Sequence, residues 1–433
     1  MSVQQASAGV GAEMHALCAQ LYPVLRSITG NGVRKTLRAL QEYLPLQMLE
    51  VPTGVAVFDW TVPCEWNVDD AYIANEHGER VVDLRDHSLH LVSYSEPMRA
   101  RLTLDELQKH LHSLPEHPEW IPYRTSYYER AWGFCLTHAQ RQQMRPGLYD
   151  VVIESRIEPG SLTYGEYVVP GELDQEVLIW THVCHPSLAN DNLSGIAVAT
   201  FLAKQLAEQR PRPTYTHRFV FAPSTIGAIT WLAQNEERLA RIAAGLVISG
   251  VGDRGGFTYK RSRADNSIID RVIEHTLAQL GSQHRIEPFS PYGYDERQFC
   301  SPGLNLPVGC LMRTPFGRYP QYHTSADNLE FISAQSLAEA LELCAETVRN
   351  LQCVRTYRNL SPKCEPQLGR RGLYDSIGGE SDKKSAQMAL LWMLSYSDGS
   401  RSTLDISDLS GLQLDVLHRA AERLQDAQLL APC

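Results

Sequence analysis

Three short segments concentrate side chains able to bind a metal ion or move a proton. The first runs Thr181-His182-Val183-Cys184-His185-Pro186-Ser187-Leu188-Ala189-Asn190-Asp191-Asn192-Leu193-Ser194-Gly195 and holds two imidazoles and one carboxylate. His185 and Asp191 stand six residues apart across a loop, so both can turn toward one ion. Imidazole nitrogen and carboxylate oxygen are a common zinc donor set, at about 2.0–2.2 Å. The second segment, Tyr322-His323-Thr324-Ser325-Ala326-Asp327-Asn328, offers His323 as a third ligand, with Asp327 steadying the turn or the imidazole. The third, Tyr292-Gly293-Tyr294-Asp295-Glu296-Arg297-Gln298-Phe299-Cys300, is a dense polar cluster. Its acids beside Arg297 fit a solvated turn. In the functional reading Glu296, with Asp295 behind it, does the proton work of hydrolysis, while Arg297, Tyr294 and Tyr322 face the substrate.

Such residues need rigid elements behind them. EVLIWTH at 176–182 is a continuous apolar run that ends polar, as a buried central strand does. HRFVFAP at 217–223, AGLVISG at 244–250 and a run near 307–313 read as further core strands. Helices are expected over 194–209, 228–243, 267–280 and 333–351, which makes an α/β layer with the first segment at a strand end, where binding crevices lie. Residues 11–45 read as two helices, and 50–100 as a small β-rich unit. Aromatics crowd 115–135 (Trp120, Tyr123, Tyr127, Tyr128, Trp132, Phe134), as a second small core or as a pocket wall. The last sixty residues have winged-helix texture. From 370 to 433 they carry seven basic and nine acidic side chains, which favours protein contact over DNA binding.

Composition agrees with a folded, multi-domain chain: 433 residues, 43% hydrophobic and 21% charged. A net charge of −10 disfavours nucleic acid as a partner. No apolar run approaches the roughly 20 residues of a membrane span, and the N-terminus lacks signal-peptide features, so the expectation is a cytoplasmic protein without membrane partners. The ten cysteines are scattered, with no CxxC pair. Self-association stays open.

Together the three segments resemble the co-catalytic zinc aminopeptidases called M28. DNLSG matches that family's D-N-x-S-G, and HTSADNLEF its late H-[ST]-x-x-D signature. RSITGNGVRKTL, FDWTVPCEWNV, IPYRTSYY, GFC, LTYGE, CHPSLANDNLSG, YDERQFCSPG and YHTSADN resemble a bacterial aminopeptidase-like subfamily of unknown function (DUF4910/DUF2172 type), linked to polysaccharide or natural-product biosynthesis. The resemblance implies a three-layer α/β/α fold with a mixed sheet over 1–50 and 130–360, a β-rich insert over 51–129 and a winged helix over 365–433.

The departures are informative. Where M28 enzymes carry Glu-Glu-x-Gly, this chain reads Ser224-Thr225-Ile226-Gly227. The family's next Asp ligand falls near Ser249, with Asp253 four residues on. Hydroxyls are poor zinc ligands, so one Zn2+ per chain is expected, held by His185, Asp191 and His323. His182 stands at the family's first His, with Cys184 where that motif has Asp; His185 lies nearer Asp191 and fits the loop better, so His182 is placed behind the ligands with Asp327. The expected activity is hydrolysis of an amide or peptide bond in a small peptide or amide-bearing metabolite. The alternatives are a non-catalytic binding scaffold and a single-zinc acyl transferase or cyclase.

Overall fold

The strand Leu173–His182 lies near the middle of the main sheet, and its last seven residues are all buried. A run of this kind is stable only with a sheet neighbour on each side and helices over both faces. The structure, a computed structural model describing residues 3–373 and 380–433, supplies both neighbours. Leu173–His182 pairs in parallel with Tyr215–Ala222 on one side and Ile242–Ile248 on the other. The full sheet has eight strands, in the order Gln47–Pro52, Ser161–Val169, Tyr215–Ala222, Leu173–His182, Ile242–Ile248, Val308–Met312, Phe257–Lys260, His284–Glu287. Its four central strands are parallel. Gln47–Pro52, Ser161–Val169 and Phe257–Lys260 each run antiparallel to an inner neighbour, which makes the sheet mixed.

The helix Gly195–Glu208 packs against both this sheet and the helix Val3–Leu21, and ten of its fourteen residues are buried. Its first residue must be glycine. A Cβ at Gly195 would lie 2.4 Å from Asn192 Oδ1 and 2.5 Å from the carbonyl oxygen of Ile248.

The β-rich unit is an antiparallel sheet ordered Arg80–Asp83, Glu65–Ala74, Leu148–Glu158, Met98–Thr103. Leu148–Glu158 is one of its two inner strands, so the insert runs past the expected limit at residue 129. Its core is continuous with that of the α/β layer: Trp66, Ile73 and Val151 belong to the same buried cluster as Leu178 and Trp180. Residues Met1–Leu343 accordingly form one compact unit.

Cys344–Cys433 form a second unit. Helices Glu380–Tyr396, Thr403–Ser410 and Leu414–Asp426 surround an apolar core with a three-stranded antiparallel sheet, Asp398–Ser402, Thr356–Asn359 and Leu430–Pro432. Thr356–Asn359 is its central strand, so this unit begins before the expected boundary at 365. Among the described residues no helix is long and apolar enough to cross a membrane.

Candidate metal centre

Each side chain of the candidate centre is delivered by an element that holds little freedom. His182 is the last residue of the central strand. Asp191 sits in the irregular turn Ala189–Ser194 that opens the buried helix. Asn192 locks that turn: its Oδ1 accepts from the backbone N–H of Gly195 and of Gly250, and its Nδ2 donates to Thr181 Oγ1 at 2.8 Å. The Asp327 carboxylate accepts from the backbone N–H groups of Asn190 (2.6 Å) and Asp191 (3.0 Å), which fixes the loop from the other side. His323 holds a left-handed φ of +56°, a conformation that costs a residue with a Cβ. It is kept there by the insert: Tyr123 N–H donates to His323 O at 2.8 Å, and Ile121 and Ser325 exchange two further bonds.

These elements converge on one carboxylate. His182 Nε2 lies 2.9 Å from Asp191 Oδ1, His323 Nε2 3.1 Å from Oδ2, and His185 Nε2 3.9 Å from Oδ2. Ligand atoms of His182, His185 and Asp191 all lie within 4.8 Å of one another. His182, expected behind the ligands, is in direct contact with the carboxylate and closer to it than His185. A strand terminus aims a side chain as well as a loop does, and both imidazoles belong to the cluster.

Electrostatics favour a cation here. Asp191 is fully buried, and burial alone would neutralise it; the imidazoles of His185, His182 and His323 hold its carboxyl well below the usual range. Burial drives His185 down to about 3, against the pull of Asp191, so the imidazole is neutral, the form that ligates metal. Burial, with the charge of Asp191 nearby, pushes Asp327 up to about 8. Among the described residues no Lys or Arg side chain pairs with Asp191.

The remaining candidates separate. Tyr322 stacks on His323 with ring centroids 3.9 Å apart, and Tyr294 on His182 at 5.5 Å. Glu296 is fully buried and its Oε1 accepts from Lys260 Nζ at 2.8 Å; burial raises its carboxyl even so. Its contacts are with Lys260, not with the imidazoles. Asp295 accepts from Trp180 Nε1 (2.8 Å), Thr225 N–H (2.7 Å) and Ser224 Oγ (3.3 Å), so it stands beside the two residues that replace the missing Glu-Glu pair. Arg297 has its Nε buried without a partner. Asp253 is taken up by Asn190, Gly255 and Thr314.

Three participants were missed. Tyr123 packs its ring on His185 and His323, with centroids 5.3 and 5.1 Å away. Cys184 Sγ lies 3.3 Å from His185 Nδ1 and accepts from Ser224 N–H at 3.2 Å. Arg26 Nε donates to His185 O at 2.9 Å. Tyr123 stood in the aromatic-rich stretch and Arg26 opens RSITG, but neither spacing revealed its partner.

A mixed sheet with four parallel central strands, and a histidine–carboxylate cluster at the end of one of them, give the chain an aminopeptidase-like fold. BSAP, a zinc aminopeptidase from Bacillus subtilis, superposes with a TM-score of 0.57 over 78% of this chain and 94% of its own; at 13% identity the likeness is one of fold. Residues 15–353 match DUF4910, a domain of unknown function, and the chain belongs to that family; residues 355–432 match a winged helix-turn-helix. A Clostridium acetobutylicum protein named for polysaccharide biosynthesis and an aminopeptidase-like domain is 48% identical over 426 residues, 98% of each chain. A crystal structure from the same organism, named as a peptidase, is 46% identical with a TM-score of 0.92, over 99% of this chain and 98% of that one.

Proposed function

We propose that this chain is a zinc-dependent hydrolase of the aminopeptidase type, cleaving an amide bond in a small peptide or amide-bearing metabolite of polysaccharide biosynthesis. One observation carries the reading: a wholly buried carboxylate, Asp191, with imidazole nitrogens at 2.9, 3.1 and 3.9 Å and, among the described residues, no Lys or Arg paired with it. That donor set fits zinc. His182, His185 and Asp191, whose donor atoms lie within 4.8 Å of one another, would hold the ion and leave its fourth position open, with His323 set against Asp191 Oδ2; its chemistry there would be that of a Lewis acid, polarising a carbonyl and acidifying water. Asn192 and Asp327 keep Asp191 aimed, while Tyr294 and Tyr322, stacked on two of the imidazoles, line the approach for substrate.

The proton work belongs, in this reading, to the Asp295–Glu296 pair, with Asp295 rather than Glu296 as the base. Glu296 is occupied by Lys260, whereas Asp295 bonds Ser224, whose N–H meets the Cys184 thiol beside His185. The polysaccharide setting is taken from the name of the Clostridium relative.

The test is metal analysis of the purified chain, followed by a screen of aminoacyl and short-peptide amides. Asp191→Asn should lose the zinc. Asp295→Asn should keep it and lose turnover by about 10²–10⁴-fold, the usual worth of a general base. Glu296→Gln should act mainly on stability. Ser224-Thr225 in place of the Glu-Glu pair favours a second reading, a binding scaffold on the same fold. Metal-dependent turnover abolished in Asp295→Asn would eliminate it.

A further inference from the structure

The hairpin Ala56–Val57/Trp60–Thr61 turns through Phe58 and Asp59, and Phe58 holds φ at +55°. Asn or Gly takes that conformation at little cost; a bulky ring does not. The strained ring is not buried. Phe58 is 53% exposed, Trp60 41% and Tyr128 55%, and the Trp60 and Tyr128 ring centroids are 5.3 Å apart. Of the four exposed Phe, Trp and Tyr rings among the described residues, three are therefore gathered at one place, with Tyr292 the fourth. Strain kept to present an apolar group to water points to a ligand.

Phe58 and Trp60 overlook a concavity of about 340 Å³, within the size range of small-molecule sites. Ile229, Leu232 and Leu304 give it an apolar floor. Asp59, Glu236, Gln298 and Ser301 add polar groups to its lining, and none of these four side chains bonds to another described residue. No Lys or Arg lines it, so phosphate or carboxylate ligands are disfavoured. An ammonium ion would use the two carboxylates and leave the Gln298 amide N–H groups idle. A sugar ring satisfies every feature: its C–H face stacks on aromatic rings, and its hydroxyls both donate to carboxylates and accept from an amide.

We propose that this concavity binds a neutral carbohydrate of one or two rings. Tyr128 ties it to the metal centre. Its neighbour Tyr127 shares a 2.9 Å hydroxyl contact with Tyr123, and the Tyr123 ring packs on His185 and His323. The sugar would thus be carried beside the amide to be cleaved, a role that rests on the hydrolase reading; the binding itself does not.

The experiment is saturation-transfer NMR on the full chain, with glucose, N-acetylglucosamine, cellobiose and chitobiose as probes. At least one should bind with a Kd on the order of 1 mM, and Trp60→Ala should weaken it roughly tenfold or more. Phe58→Gly relieves the backbone while removing the ring, so its Tm should not fall although its sugar binding does. His323→Ala should bind sugar like the wild type, so loss of the hydrolase reading would leave this result intact. Binding of none of the four sugars, wild-type affinity in Trp60→Ala and Phe58→Gly, or displacement of the sugar by tetramethylammonium would overturn the proposal.

Discussion

Arg26 is a fully buried cation that pairs with no carboxylate among the described residues. Its Nε donates to His185 O and its Nη1 to Leu21 O at 2.7 Å, its Nη2 is buried without a partner, and burial draws its pKa down to about 10. A buried charge so poorly compensated contributes little to stability. Its effect is positional, because it ties the His185 loop to the N-terminal segment while Cys184 meets the imidazole at Nδ1. Arg26→Met should therefore separate two quantities. Thermal stability should stay near that of the wild type, since an apolar side chain removes an unpaired charge. Zinc affinity, measured by chelator competition, should fall by about 10–100-fold, the usual cost of losing a group that orients a metal ligand. Equal affinity in the two proteins would remove Arg26 from the site.

His217 shows what an element imposes on a residue. It lies fully buried in the strand Tyr215–Ala222, between Val177 and Val169 on the adjoining strands, and burial pushes its pKa down to about 4. The unfolded chain takes up this proton near pH 6.5 and the folded chain only near 4, so the contribution of His217 to stability falls as pH drops between those values and is flat above them. At about 1.4 kcal/mol per tenfold change in the proton equilibrium, the full loss is about 3 kcal/mol. His217→Phe should flatten that part of the slope in urea midpoints measured at pH 7.5, 5.5 and 4.5. The central strands were legible because a buried run announces itself: EVLIWTH, HRFVFAP and AGLVISG lie within or at the ends of the strands found. Gln47–Pro52, Ser161–Val169, Phe257–Lys260 and His284–Glu287 were not assigned to this sheet, because pairing over long separations leaves no local pattern. The site divides the same way. The three imidazoles and Asp191 stood in two legible motifs, whereas Tyr123 on His323 and Asp295 beside Ser224-Thr225 are meetings of distant segments.

At the scale of the whole molecule, a winged helix-turn-helix on an aminopeptidase-like fold invites the inference that the chain reads DNA. Charge argues against it. Residues 355–432 carry ten Lys and Arg against ten Asp and Glu, on a chain of net charge −10. DNA affinity is dominated by phosphate neutralisation, and a reading helix must offer free cations to the groove. The helix Leu414–Asp426 has two arginines, and both are engaged within the unit: Arg419 pairs with Asp415 at 2.7 Å, and Arg423 donates to the carbonyl of Leu373 at 2.8 Å. His418 faces Glu422 at 3.5 Å. Releasing these groups would cost bonds already made, with no surplus of positive charge to replace them. We expect the full chain at roughly 10 μM to leave a duplex unshifted at about 50 mM salt, where a protein making even a few phosphate contacts binds. A retarded complex whose affinity falls steeply with added salt would assign the unit to nucleic acid after all.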